Sequence, residues 1–90
     1  MTVNIGVMGC GYWGSKHVRV FNEVPGARLT MACDLSKERL AQVQATYPSV
    51  GVTQSFEELL ESDVDGIVIA TPPRTHYELA RQALAHGKHV

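Results

Sequence analysis

Cysteine is scarce in this chain of 90 residues. The two present, Cys10 and Cys33, form neither a C-x-x-C pair nor a disulfide framework. Charge of one sign is not in excess either. The formal net charge is −1 and the basic residues are scattered, which removes the electrostatic footprint of a nucleic-acid binder. No apolar run approaches the roughly 20 residues that span a bilayer, so a membrane partner is not expected. The opening MTVNIGVMG has neither the basic n-region nor the cleavage site of a signal peptide. Together these absences lead us to expect a cytoplasmic protein. Repeats, linkers and low-complexity segments are also missing, and the length suits a single core, so residues 1–90 are read as one domain. What is present is 44% apolar and 19% charged, the balance of an ordinary folded chain.

The apolar residues change period repeatedly along the chain. TVNIGVMG (2–9) is rich in β-branched residues and closes on glycine, as a buried strand does. From Tyr12 to Val24 the spacing becomes helical, with Gly14, Val18 and Phe21 on one stripe until Pro25 intervenes. ARLTMACD (27–34) is a second strand ending in an acid. Ser36 can cap a helix that carries Leu40, Val43 and Tyr47 and stops at Pro48, and VGVT (50–53) follows as a short strand. Ser55 and Glu58 have capping-box spacing ahead of Leu59 and Leu60. GIVIAT (66–71) is an almost unbroken β-branched run, predicting a parallel strand covered on both faces. Thr75 and Glu78 form a second capping box, opening a helix with His76, Leu79, Ala80, Ala83 and Leu84 on one face and Gly87 at its end. Lys88-His89-Val90 then reads as the start of another strand.

Strand and helix alternating four times predict an α/β fold, a parallel sheet wound by right-handed crossovers with helices on both faces. The expected strand order is 3-2-1-4, Rossmann-like and incomplete, with the outer side of strand 4 open to a fifth. An open apolar edge of that kind predicts self-association.

Glycine is used with purpose in IGVMGCGYWG. Gly9, Gly11 and Gly14 give the G-x-G-x-x-G spacing between a strand and a helix. In that setting the first allows a tight turn, the second lets a phosphate approach bare backbone, and the third lets the helix lie close to the strand. The N–H groups of Tyr12 and Trp13 then stand at a helix N-terminus, which favours an anion. Asp34 ends strand 2, twenty residues beyond Gly14, where a carboxylate can accept both hydroxyls of an adenosine ribose. The same residue would also serve as a helix cap or turn former. Thr71, Pro72 and Pro73 follow strand 4, so all three features fall at the carboxyl ends of strands beside the switch point. An acid at Asp34 repels a 2′-phosphate and favours NAD over NADP, while Lys37 and Arg39 offer partial compensation.

Other residues have plainer readings. Cys10 and Cys33 suit small core positions. Trp13 can cover a cofactor or pack against a neighbouring domain. His17, His86 and His89 lack metal-ligand or triad spacing, and no metal is expected. His76 stands in a first helical turn at the ligand edge, where capping competes with any chemical role.

Taken together, IGVMGCGYWGSKHV, ACDLSKERL, DVDGIVIATPPRTHYELARQAL and AHGKHV resemble the amino-terminal half of the glucose–fructose oxidoreductase / inositol dehydrogenase (Gfo/Idh/MocA) family over essentially the whole chain. The resemblance implies a nicotinamide cofactor held by Gly9, Gly11, Tyr12, Trp13 and Gly14, with Asp34 at the ribose. It further implies that Thr71, Pro72 and Pro73 run along the nicotinamide half with His76 behind them. Family members transfer a hydride between a sugar, nucleotide-sugar or cyclitol and the nicotinamide. Their acid–base lysine lies in a Glu-Lys-Pro motif after GKHV, and a separate domain supplies the substrate pocket. Neither falls within these residues and Lys88 is not that lysine, so the chain by itself is expected to be inactive. A non-enzymatic nucleotide sensor, and a module for another adenosine diphosphate such as coenzyme A, are the competing readings.

Overall fold

The computed structural model describes residues 2–90, and Met1 lies outside them. The strands are β1 (Val3–Met8), β2 (Ala27–Cys33), β3 (Gly51–Thr53) and β4 (Gly66–Ile69). Between and after them run α1 (Tyr12–Glu23), α2 (Lys37–Thr46), α3 (Phe56–Glu61) and α4 (His76–Ala85), the last preceded by a 3₁₀ turn at Pro73–Thr75. The four strands form one parallel sheet in the order β3-β2-β1-β4, as the alternation predicts. Register between β1 and β2 shifts once, where Ile5 pairs with Leu29 but Gly6 pairs with Met31.

Side chains on consecutive strand residues point to opposite faces, and this separates the core into two layers. Val7 and Ala32 pack with Val18, Leu40 and Val43 on the α1–α2 face. Their neighbours Met8 and Cys33 pack with Leu59, Leu60, Ile67 and Ala83 on the α3–α4 face. Leu59 and Val7 are both fully enclosed, and each such side chain contributes about 1.5–3 kcal/mol by leaving water. Both faces are therefore covered, and the carboxyl ends of the strands are left as the open edge.

Local chemistry sets the helix ends, though not always in the expected way. Ser36 caps α2 by accepting the Arg39 N–H at 3.3 Å, and Ser55 caps α3 by accepting the Glu58 N–H at 3.2 Å. The reciprocal half of the Ser55 box is absent, because the Ser55 N–H is held by Thr53 Oγ1 at 3.0 Å. The box predicted at Thr75 and Glu78 does not form. Thr75 has helical rather than extended backbone, its hydroxyl donates to the Pro72 carbonyl, and Glu78 pairs with Arg81. The cause lies just upstream: Pro73 opens a 3₁₀ turn, so helical geometry begins before Thr75 can act as a cap. The predicted apolar face of α4 is also narrower than its pattern. Ala83 is buried and Leu79 and Ala80 are half-buried, but His76 is exposed and Leu84 is 62% exposed.

β4 differs from expectation in a related respect. Its ladder ends at Ile69, and Val68 and Ile69 are half-buried rather than covered on both sides. The outer side of β4 carries only a short parallel bridge between Gly66 and His89, in which Ile67 donates to the His89 carbonyl at 2.8 Å and His89 to the Asp65 carbonyl at 3.0 Å. The residues after α4 thus begin a fifth strand, as their sequence suggests. The chain reaches this place because Gly87 and Lys88 close α4 by donating to the carbonyls of Leu84 and Ala83.

Candidate cofactor site

The turn after β1 is built around Gly9, whose φ of 98° is open to glycine and strained for other residues. A Cβ there would also stand 3.0 Å from the backbone of Ala70. The Gly9 N–H donates to the Cys33 carbonyl at 2.8 Å, and Ala70 donates to the Met8 carbonyl at 2.8 Å. These bonds tie the loop to the ends of both neighbouring strands. Gly14, in the first turn of α1, packs so tightly on the loop that a Cβ would overlap the Gly9 carbonyl. Close helix–loop approach is the role that its spacing predicts.

Gly11 precedes α1 without offering any side-chain cap, and the first bond of the helix runs from Ser15 N–H to the Gly11 carbonyl at 2.9 Å. The N–H groups of Tyr12, Trp13 and Gly14 come before that bond and have no partner among the described residues. The side chains of Tyr12 and Trp13 take a different course. They are 71% and 65% exposed and meet edge-to-face at 5.2 Å, with Lys16 Nζ 4.7 Å from the Tyr12 ring centre. Neither ring lines the groove described below, so these two residues offer the site their backbone.

Asp34 is buried, with only 9% of its side chain exposed. Its Oδ2 accepts the Cys10 N–H at 2.7 Å and its Oδ1 accepts the Ser36 N–H at 2.7 Å. Each carboxylate oxygen keeps a second lone pair for another donor. Arg39 reaches back from α2 and places Nη1 3.9 Å from Oδ2, a half-exposed pair worth about 0–1 kcal/mol. That nitrogen also stands 3.1 Å from where a Gly11 Cβ would project. Sequence position relates Arg39 to Asp34 but not to Gly11, because no local spacing signals a contact across two loops.

After β4 the chain is held by its own polar groups. The Thr75 hydroxyl donates to the Pro72 carbonyl at 2.6 Å, and Thr71 Oγ1 lies 2.5 Å from Thr75 Oγ1. The His76 ring Nε2 sits 2.7 Å from the Thr71 carbonyl. A carbonyl only accepts, so Nε2 carries the proton in that bond.

These elements meet in a groove of about 1030 Å³ across the strand ends, lined among others by Gly9, Gly11, Asp34, Leu35, Thr71 and Pro72. Its size matches the upper range of small-molecule sites, about 300–1,000 Å³. Pro73 and His76 are not among the residues that line it. Leu35 is a lining residue missed at the sequence level. It is 78% exposed, and the available signal was a large apolar side chain placed directly after the strand-ending acid.

Both cysteines are buried thiols. Burial first, and then the Asp34 charge, push Cys10 up from an ordinary 9.0 to about 12. The same two causes push Cys33 up to about 11. Neither is a thiolate at neutral pH, which fits their expected packing role. No cluster of three or more potential metal ligands occurs among the described residues. No helix among them is long and apolar enough to cross a membrane.

Comparison with known proteins agrees with this geometry. The Gfo/Idh/MocA family model, described as an oxidoreductase family with an NAD-binding Rossmann fold, matches residues 3–90. An inositol 2-dehydrogenase from Rhodococcus erythropolis is 38% identical over 90 residues, covering 98% of this chain and 26% of that protein. A glycosyl hydrolase family 109 protein from Streptomyces niveus is 34% identical over 99 residues, covering 99% of this chain and 20% of that protein. The crystal structure of scyllo-inositol dehydrogenase from Lactobacillus casei, with bound NAD(H) and scyllo-inositol, superposes with a TM-score of 0.92 at 27% identity, covering 100% of this chain and 27% of that one. The chain therefore spans about a quarter of the length of the relatives it matches. It belongs to the Gfo/Idh/MocA oxidoreductase family and is an NAD-binding Rossmann domain.

Proposed function

We propose that this member of the family carries the cofactor half of a hydride transfer between a sugar, nucleotide-sugar or cyclitol and NAD. The observation that carries the reading is the groove itself, where an acid-bearing strand end, a glycine turn and a helix N-terminus without a side-chain cap share one edge. The residues present fit a dinucleotide. In strand order β2, β1, β4, an adenosine ribose would lie at Asp34 with its base against Leu35. The pyrophosphate would take the free N–H groups of Tyr12, Trp13 and Gly14, where the helix dipole assists. The nicotinamide half then extends toward Thr71 and Pro72, with Pro73 and His76 supporting that loop. When bound, NAD supplies the hydride acceptor. The chain's own residues bind it, orient it and exclude water.

The names of the relatives, inositol dehydrogenases and a glycosyl hydrolase, support a sugar or cyclitol as the substrate class. Asp34 supports NAD over NADP, since its charge faces the position a 2′-phosphate would occupy. Calorimetric titration with NAD, NADP and coenzyme A tests the reading. NAD should bind most tightly, and coenzyme A binding as well as NAD would overturn it. We also propose that copies of the chain pair through the outer edge of β4 beyond His89, where among the described residues no strand pairs with Val68–Ile69 on that side. A strictly monomeric species by light scattering at high concentration would contradict that pairing.

A further inference from the structure

We propose that Thr75 is a positioning residue that turns the hydroxyl of Thr71 into a dedicated hydrogen-bond acceptor for the nicotinamide riboside half of the cofactor. The argument is one of proton counting. A threonine hydroxyl has one proton and two lone pairs. The proton of Thr75 is committed to the Pro72 carbonyl, 2.6 Å away. The contact between the two hydroxyls at 2.5 Å then has only one possible donor, which is Thr71. With its own proton spent on Thr75, Thr71 Oγ1 can only accept from anything else, and Thr71 lines the groove. The carbonyl of the same residue is fixed by His76 Nε2 at 2.7 Å, so the peptide that carries this hydroxyl is held from both sides.

The position selects which half of the ligand is met. Asp34 ends β2, the glycine turn follows β1, and Thr71 follows β4, with β1 between the other two strands. A dinucleotide with its adenosine ribose at Asp34 and its pyrophosphate at the turn brings its other nucleoside to Thr71. Donors available there are the ribose hydroxyls and the carboxamide NH₂. This proposal rests on the cofactor reading above and adds a direction to one hydrogen bond within it. Thr75 also lines the groove, but its hydroxyl is engaged by Pro72 and Thr71 within the loop.

The test is calorimetric titration of the unaltered chain and of Thr71→Val, Thr75→Val and Thr75→Ser, each checked for folding by circular dichroism. The ligands are NAD, its 3-acetylpyridine analogue, which lacks the carboxamide NH₂, and ADP-ribose, which lacks the nicotinamide. Thr71→Val and Thr75→Val should each weaken NAD about 5- to 10-fold, and Thr75→Ser should restore it to within about 2-fold. If the carboxamide is the donor, the acetylpyridine analogue and ADP-ribose will be insensitive to both valine variants. If a ribose hydroxyl is the donor, ADP-ribose will lose affinity alongside NAD. Folded Thr71→Val with undiminished affinity for all three ligands overturns the proposal, as does a Thr75→Ser variant no better than Thr75→Val. Failure of the unaltered chain to bind NAD at all would instead strike the cofactor reading beneath it.

Discussion

The carboxylate of Asp34 accepts the backbone N–H of Cys10 at 2.7 Å, joining the end of β2 to the glycine turn that follows β1. The turn returns the connection, since Gly9 donates to the carbonyl of Cys33, the residue before Asp34. The acid and the loop are thus one unit. The group proposed to read a ribose is also the group that shapes the loop proposed to hold the phosphates, so affinity and stability should be coupled at this residue.

Replacing Asp34 should therefore have two effects. Asp34→Ala leaves the buried Cys10 N–H without a partner, and about 1.5–3 kcal/mol of folding stability should go with the charged acceptor. NAD binding should weaken roughly 10- to 100-fold, and NADP binding should weaken less because a repelling charge is also removed. Urea unfolding measures the first effect and calorimetry the second. Equal loss for both cofactors in a folded variant would reduce Asp34 to a brace for the loop.

The glycines of the turn should separate by what surrounds them. Gly14→Ala forces α1 off the Gly9 carbonyl, and overpacking of backbone against backbone should cost at least about 3 kcal/mol. Gly11→Ala meets only the far end of the flexible Arg39 side chain and should fold normally. Gly11→Val should also fold, yet lose NAD, because its branched side chain extends over the place proposed for the pyrophosphate. Circular dichroism paired with calorimetry distinguishes the cases. A stable Gly14→Ala protein would remove the close-packing account of that glycine.

Periodic residues made the fold legible, whereas polar groups that act across loops did not announce themselves. Val7 and Met8 declare opposite faces by alternation, and Val18 and Leu40 declare their helix stripes, so order β3-β2-β1-β4 followed from elements and connection rules. Gly9, Gly14 and Asp34 carried their signal in spacing. The Thr71–Thr75 bond and the placement of Arg39 beside Gly11 depend instead on the path of two loops, which no period encodes. At Thr75 two local rules competed. Capping-box spacing pointed one way, and a proline pair that starts helical geometry early pointed the other and prevailed.

The buried thiols predict a pH dependence. Folding raises Cys10 from 9.0 to about 12 and Cys33 from 9.0 to about 11, through burial first and the Asp34 charge second. A raised value means that the unfolded chain loses these protons before the folded one does. Their contribution is then complete below about pH 9 and is lost as pH rises through 9 toward about 11 and 12. Urea midpoints should accordingly fall above pH 9, and Cys10→Ala should show a shallower fall than the unaltered chain. Identical slopes for the two proteins would contradict the assignment. At pH 7.5, thiol reagents should label the chain quickly only after denaturant is added.

Cofactor binding without turnover is the last expectation, and it follows from what surrounds Thr71. The titratable side chains lining the groove are Asp34, Glu38, Arg39 and Arg74. Asp34, Glu38 and Arg39 belong to the β2–α2 end, where the adenosine would lie. Arg74 stands at the β4 end, but a guanidinium does not release its proton near neutral pH. His76 is close in sequence and donates Nε2–H to the Thr71 carbonyl, but its ring does not line the groove. Hydride transfer from an alcohol needs a base within hydrogen-bond reach of the hydroxyl and a pocket holding the carbon against the nicotinamide. None of the titratable side chains lining the groove at the β4 end can serve as that base. Purified chain incubated with NAD and a panel of polyols, sugars and nucleotide-sugars should give a flat absorbance trace for reduced cofactor while calorimetry still reports NAD binding. Turnover that disappears in His76→Ala would make that histidine a catalytic base and refute this account of the β4 loop.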